Sequence, residues 1–245
     1  MPRSSAKIRL YVTDALAPMQ QVVVGRDASH YLLGVMRQSI GDRVELFNGR
    51  DGAWIAELTG TSKRAAELTC QNLVQAQTEP PDLWLLFAPI KKARTDFIAE
   101  KVCEMGCRRV LPVFTQHTNS ERVRVDRLQA HAVEAAEQCG LVSVPEIAEP
   151  ASLETVLSTW PEDRKLMFCD ESGAGAEASS ALAAAGPGPW AILIGPEGGF
   201  SEDEANRLRA LEASVPVSLG PRILRADTAA VAALAVWQSV LGDWS

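Results

Sequence analysis

What this chain lacks narrows the field before any motif is considered. In its 245 residues no apolar run approaches the roughly 18 residues a membrane-spanning helix needs. The opening segment, Met1-Pro2-Arg3-Ser4-Ser5-Ala6-Lys7, is polar and has no apolar stretch of the secretory kind, so a cytoplasmic location and no membrane partner are expected. The cysteines number only five, at 70, 103, 107, 139 and 169, and an odd, scattered set argues against a disulfide framework. Cys103 and Cys107 could meet on one helix face, but no second pair at zinc-site spacing accompanies them, so packing is expected and metal is not. There is no Gly-x-Gly-x-x-Gly and no Gly-x4-Gly-Lys-Ser/Thr, which speaks against a dinucleotide fold and a P-loop. His117 and His131 have no evident serine or cysteine partner, so hydrolase chemistry is unsupported, and no internal repeat is apparent.

Excess positive charge is missing too. The net charge of −7 is awkward for a protein that handles nucleic acid, and its distribution matters more than its total. Residues 1–77 hold nine Lys and Arg against seven Asp and Glu, residues 78–140 hold nine against nine, and residues 141–245 hold six against 15. The acid therefore sits in the C-terminal part. Arginine, which forks onto phosphate, dominates the mildly basic first segment, although an ordinary solvated surface explains the same count.

What is present, 47% hydrophobic and 22% charged residues, is the composition of a folded globular chain. Up to about Gln77 the short runs Ile8–Val12, Gln21–Val24, Arg43–Phe47, Trp54–Leu58 and Ala65–Leu73 are separated by turn residues, which predicts a small β domain. Asn48-Gly49-Arg50-Asp51-Gly52 is a hairpin signal, and Ser29–Gln38 is expected as one short helix. Glu79-Pro80-Pro81-Asp82 marks a stiff boundary. Beyond it, apolar runs at Leu83–Ala88, Arg109–Phe114, Leu166–Cys169 and Trp190–Ile194 alternate with helical patterns at Thr95–Met105 and Asp126–Cys139, the arrangement of an α/β domain with a parallel sheet. The Ala-, Gly- and Ser-rich stretch Glu171–Pro189 is expected to be a mobile loop, with at most one weak helix.

Two glycine turns carry the chemical signal. Strand Trp190–Ile194 runs into Gly195-Pro196-Glu197-Gly198-Gly199-Phe200, and Ser201 with Glu204 stands at capping-box spacing, so a helix should begin there. Glycine lets backbone N–H and C=O groups approach a ligand, and ligands of open α/β sheets bind at the strands' C-terminal ends. A plain βα turn is the alternative. The second turn, Leu219-Gly220-Pro221-Arg222-Ile223-Leu224-Arg225, precedes a helix for which Asp227 is the expected N-cap, with Leu234, Trp237 and Leu241 facing either the core or a second subunit.

These two segments, together with Ala226-Asp227-Thr228-Ala229, resemble the paired signature of the 16S rRNA uracil-N3 methyltransferases, a family of the SPOUT class. The likeness extends to His30, Val35-Met36-Arg37, Gly41-Asp42, Lys101, Glu104-Met105-Gly106, Glu137-Gln138-Cys139-Gly140 and Val144-Pro145-Glu146-Ile147, and so spans nearly the whole chain. Leu141 departs from a usually basic position, and Asp227 from a usual glutamate, one methylene longer. The resemblance implies a PUA-like RNA-binding β-barrel over 1–77 and a SPOUT domain with a deep trefoil knot over 78–245. It further implies S-adenosylmethionine as cofactor, 16S rRNA or the small ribosomal subunit rather than DNA as partner, and a homodimer.

On that resemblance the cofactor is expected at Gly195, Pro196, Glu197, Gly198, Gly199, Leu219, Gly220, Ile223, Leu224, Thr228 and Ala229. Uracil N3 is a poor nucleophile until it loses its proton, so a stabiliser of the uridinate and a proton acceptor are needed. Arg225 is the candidate for the first role, and Glu197 and Asp227 are the candidate proton acceptors or orienting groups; a loop anchor and a helix cap are the alternatives for the two carboxylates. Arg9, His30, Arg37 and Arg43 are the candidate RNA contacts, unless they are members of surface ion pairs. A ribose 2′-hydroxyl acceptor, or a noncatalytic RNA-binding assembly protein, would be the rival readings.

Overall fold

The computed structural model describes residues 6–62, 65–120 and 122–244. It divides into two compact units: one comprises residues up to Glu79 together with Ala136–Val144, the other Pro80–Ala135 and Pro145–Ser245. The inclusion of 136–144 in the first unit was not legible from the boundary at Glu79-Pro80.

In the first unit β1 (Arg9–Tyr11), β2 (Gln21–Val23), β3 (Arg43–Phe47), β4 (Ala53–Ser62) and β5 (Ala65–Gln75) form one sheet in the order β1-β3-β4-β5-β2. Only the β1–β3 pairing is parallel. Alternation sends Val44, Leu46, Trp54, Ala56, Leu58, Ala66, Leu68 and Cys70 into one apolar core, where successive side chains of a strand face opposite ways. The expected helix at 29–38 begins earlier, as α1 (Arg26–His30), and continues as a π turn over Tyr31–Val35. Buried Ser29 holds it down: its hydroxyl donates to Val24 O at 3.0 Å and accepts from Ala66 N at 2.9 Å. The 48–52 turn closes β3 onto β4, with Gly49 and Gly52 at φ 78° and 77°.

Arg9 requires a correction. It does not reach outward as an RNA contact: its side chain is 14% exposed, pairs with Glu45 at 2.6 Å, and lies over the Phe47 ring. Its guanidinium also donates to the carbonyls of Ala136 at 2.8 Å and Leu141 at 2.9 Å. The Ala136 carbonyl belongs to the last turn of that helix and also accepts from Leu141 N at 3.1 Å, and Leu141 lies just beyond it, so the arginine ties down the chain as it leaves the helix. His30, Arg37 and Arg43 are exposed, and Arg37 adopts φ 51°.

The second unit is a mixed α/β fold. β6 (Leu83–Phe87), α2 (Lys92–Glu104), β7 (Arg109–Phe114), α3 (Val125–Cys139), β8 (Glu146–Ile147), β9 (Ala151–Ser152), α4 (Leu153–Ser158), β10 (Lys165–Cys169), β11 (Ala176–Glu177), α5 (Ala178–Ala185), β12 (Trp190–Ile194), α6 (Glu202–Ala210), β13 (Ser214–Ser218) and α7 (Ala226–Leu241) follow in turn, α3 running on into the first unit. The sheet order is β11-β13-β10-β12-β6-β7-β8, with β9 beside β7, and every pairing is parallel. β12 is buried at all five positions, as expected for a central strand of a two-sided parallel sheet. Leu166, Phe168, Ala191 and Leu193 meet Leu153 of α4 and Leu208 of α6 on one face, while α7 packs on β12 at the other. Cys103 and Cys107 are buried, and burial raises the Cys107 thiol pKa above its ordinary value.

The stretch 171–189 holds the one Ala-rich helix its composition allows, α5, together with the short strand β11. Glu177 accepts from Ser179 N at 3.1 Å and Ser180 N at 2.9 Å, capping α5, whose Ala178 and Leu182 are buried, and β11 pairs with β13. Small side chains there allow α5 to pack closely against α7, so what the sequence lacks in bulk it gains in approach. At the start of α7 the N-cap is Arg225, not Asp227; Asp227 lies in the first turn and accepts from Thr228 N at 3.0 Å. No helix among the described residues is long and apolar enough to cross a membrane.

Candidate active site

Because β13, β10, β12 and β6 are adjacent and parallel, the loops that leave their C-terminal ends converge along one edge of the sheet. Two cavities open there. One of about 450 Å³ is lined by Lys91 and Arg94 after β6, by Glu171 after β10, by Gly195, Pro196, Glu197 and Gly199 after β12, and by Ile223 to Ala226 after β13. The other, about 240 Å³, lies against Asp170–Gly173 and the turn from Leu219 to Leu224. Cys169, Glu171, Ile223, Leu224 and Ala229 line both, so the two spaces are neighbouring compartments of one cleft.

Each turn is held by identifiable bonds. The capping box of α6 forms as expected, with Ser201 Oγ accepting from Glu204 N and Glu204 Oε2 accepting from Ser201 N at 3.0 Å. Glu204 Oε1 also accepts from Gln116 N at 2.8 Å, and His117 Nδ1 lies 3.2 Å from the carbonyls of both Gly198 and Gly199, to which it donates when Nδ1 carries the ring hydrogen. Glu171 Oε1 accepts from Phe200 N at 2.8 Å. Gly199 has φ 71°, and a Cβ there would stand 2.6 Å from that same Glu171 oxygen, so glycine is required twice over. Gly220 differs: φ is 109°, yet a Cβ would meet nothing within 4 Å, because its backbone faces the open cavity. Among the described residues the N–H groups of Ile223 and Leu224 have no acceptor in the protein. Free donors at the rim of an apolar and polar cleft fit a ligand with heteroatom acceptors, such as a purine ring.

Below this turn the floor is fixed by a buried ion pair. Asp170, with its side chain 2% exposed, receives Arg209 Nε at 2.8 Å and the Ser172 hydroxyl at 2.6 Å. Burial alone would raise its carboxyl pKa; the Arg209 guanidinium and the Ser172 hydroxyl outweigh it, holding the carboxyl below its ordinary value. Next to it, burial pushes the Cys169 thiol up to about 12, which leaves it a protonated wall group and not a nucleophile.

Two of the three candidate catalytic side chains, Glu197 and Arg225, line the larger compartment, and Asp227 lines neither. Glu197 and Asp227 approach one cation, Arg94, at 3.5 and 3.7 Å, with Arg225 at the same cavity wall. Of the expected cofactor residues, Gly195, Pro196, Glu197 and Gly199 line the larger compartment, Leu219 and Gly220 the smaller, and Ile223, Leu224 and Ala229 both. Gly198 and Thr228 line neither; Gly198 instead packs against His117. Sequence reasoning missed Arg94, His117 and Glu171. Only Lys91-Lys92-Ala93-Arg94, a basic run directly after a buried strand, could have pointed to the first.

Residues 77–238 match the model of an RNA methyltransferase domain, and residues 24–69 that of an RNA methyltransferase PUA domain. Among curated proteins the chain is 27% identical to the ribosomal RNA small subunit methyltransferase E of Rickettsia conorii, covering 93% of each, and 30% identical to that of Synechocystis, covering 86% of this chain and 71% of the relative. Among solved structures it is similar to the ribosomal RNA small subunit methyltransferase E of Neisseria gonorrhoeae bound to S-adenosylmethionine, with a TM-score of 0.87, 28% identity and coverage of 97% and 99%. A methyltransferase of Legionella pneumophila in complex with S-adenosylmethionine gives 0.87 and 27% over 96% and 98%. With an α/β unit whose glycine turns surround a two-compartment cleft and a PUA-type unit before it, this chain belongs to the RNA methyltransferase family.

Proposed function

We propose that the protein methylates N3 of a specific uridine in 16S rRNA of the small ribosomal subunit, using S-adenosylmethionine. The observation that supports this most is the cleft itself, in which both glycine turns, Glu197 and Arg225 line one space with Arg94, which Asp227 approaches at 3.7 Å. The open donors of Ile223 and Leu224 and the ligand-facing backbone of Gly220 suit the adenosine end, in the 240 Å³ compartment. The larger compartment then takes the sulfonium and the target base. The cofactor supplies a methyl group already activated for displacement, so the protein's task is alignment, deprotonation and charge stabilisation.

Arg225, which lines the larger compartment, would stabilise the negative charge that develops on the uracil oxygens as N3 loses its proton. Glu197 or Asp227 accepts that proton, and Arg94, approached by both, is a positioning residue that keeps the pair on the cleft side. Asp227, one methylene shorter than the family's usual glutamate, still reaches within 3.7 Å of Arg94. The remaining assignments are part of the same proposal: residues 1–77 as the PUA-like RNA-binding domain with His30, Arg37 and Arg43 as contacts, residues 78–245 as a knotted SPOUT domain, a homodimer, and a cytoplasmic location. Incubating the protein with labelled S-adenosylmethionine and unmodified 16S rRNA, or small subunits, should transfer label to RNA. Retention of all label in the cofactor, with cofactor binding shown by calorimetry, would refute the reading.

A further inference from the structure

The large compartment does not end at Glu197. A second cavity of about 270 Å³ shares Lys91, Pro196 and Glu197 with it. A third, of about 180 Å³, shares Pro89, Ile90, Lys92 and Ser120 with the second. The three form one groove, running from the candidate active site past the start of α2 to the segment before α3. Its walls carry Lys91, Lys92, Arg94, Arg122, Arg124, Arg127 and Arg225, against the carboxylates of Glu171, Glu197 and Asp96. Arg94, Arg124 and Arg127 are engaged, with Glu197 and Asp227, with Asp126, and with Asp96 in a bidentate pair at 2.9 and 2.7 Å. Among the described residues no carboxylate lies within ion-pair distance of Lys91, Lys92 or Arg122.

We propose that this groove is a phosphate track for the single-stranded RNA on one side of the target nucleotide, with Lys91, Lys92 and Arg122 contacting its backbone; this rests on the function proposed above. N3 lies on the pairing edge of uracil, so the base must be unpaired to be methylated, and the backbone entering the cleft is then single-stranded. A chain of net charge −7 repels RNA as a whole, so phosphates must be drawn in by a local concentration of cations. The groove supplies one, continuous with the site of reaction. Arg124 and Arg127, engaged by Asp126 and Asp96, frame its far end, so the three cations that make no ion pair among the described residues should dominate.

The test compares the parent with Lys92→Ala, Arg122→Ala and the double variant, with Lys92→Arg and Arg122→Lys as conservative controls. Arg207→Ala is the control for a basic residue outside the groove, its side chain 56% exposed on α6. Binding of unmodified 16S rRNA is titrated against salt without cofactor, and kcat and KM are measured separately. The double variant should lower the slope of log affinity against log salt by about 1.4, at about 0.7 per contact on single strands, and weaken binding about 25-fold at 0.1 M salt. KM for RNA should rise accordingly, with kcat and S-adenosylmethionine affinity unchanged, near-parent behaviour in the conservative variants, and no effect of Arg207→Ala. An unchanged slope in the double variant, or an equal loss in Arg207→Ala, would overturn the proposal. Failure of the parent to methylate RNA would sink the proposed reaction, while the salt slope still decides the groove.

Discussion

Replacing Arg209 by alanine tests whether the floor of the cleft is held as described. Asp170 would lose two charge-assisted bonds, at 2.8 and 3.1 Å, while its side chain stays 2% exposed. Removing one member of a buried pair costs about 3–5 kcal/mol because the other charge is left unpaired. Two features place this case at the low end. Arg209 is itself 35% exposed, and Ser172 would still donate to the carboxylate through its hydroxyl at 2.6 Å and its amide at 3.0 Å. A loss of about 3 kcal/mol in a protein of this size corresponds to a Tm lower by roughly 6–12 °C. Because the carboxyl pKa of Asp170 is depressed on folding, the pair's stabilisation is present above the ordinary carboxylate pKa near 4 and fades as pH falls through the lower folded value. The gap between parent and variant, read by thermal unfolding from pH 7 down to pH 3, should therefore narrow at the acid end. Since 170–173 line the smaller compartment, S-adenosylmethionine affinity by calorimetry should fall as well. A variant that melts within 2 °C of the parent at pH 7 would refute the reasoning, as would a gap that widens on acidification.

Other outcomes follow from the same geometry. Gly199→Ala, at φ 71° and facing Glu171, should destabilise by about 1–2 kcal/mol and weaken cofactor binding; unfolding curves and calorimetry check both. Arg94→Ala should lower kcat by up to about 100-fold through misplacement of Glu197 and Asp227, with S-adenosylmethionine affinity nearly unchanged and partial rescue by Arg94→Lys in single-turnover assays. Arg225→Ala should lower kcat by about 100-fold while RNA binding persists; near-normal turnover would remove its catalytic assignment. Arg9→Ala should cost about 3 kcal/mol, since it strands Glu45 and removes the bonds to the carbonyls of Ala136 and Leu141, yet leave the salt dependence of RNA binding untouched.

Strands were the most legible part of the sequence. Arg43–Phe47, Arg109–Phe114 and Trp190–Ile194 could be bounded because each is an apolar or alternating run enclosed by turn residues, and a capping box fixed the start of α6. Where the signal is spacing within a few residues, sequence suffices. It failed where stability is supplied from elsewhere in the chain. Nothing local distinguishes α5 from a flexible Ala/Gly/Ser tract, because its buried face is completed by α7 and β13. Arg9 looks like any arginine near a terminus until the end of α3 stands beside it. The two glycine turns were evident as ligand loops, but Arg94 lies 103 residues before Glu197 and only the parallel order β12-β6 brings its helix to the cleft. His117 and Glu171, which anchor the first turn, were invisible for the same reason.

The most direct test is the identity of the product. Unmodified 16S rRNA, and small subunits that contain it, would be treated with the protein and labelled S-adenosylmethionine, digested to nucleosides, and resolved by mass spectrometry. Label is expected in 3-methyluridine at a single position, formed about 100-fold more slowly by Arg225→Ala. A labelled nucleoside methylated on its ribose 2′-oxygen, or on any base atom other than uracil N3, would contradict it.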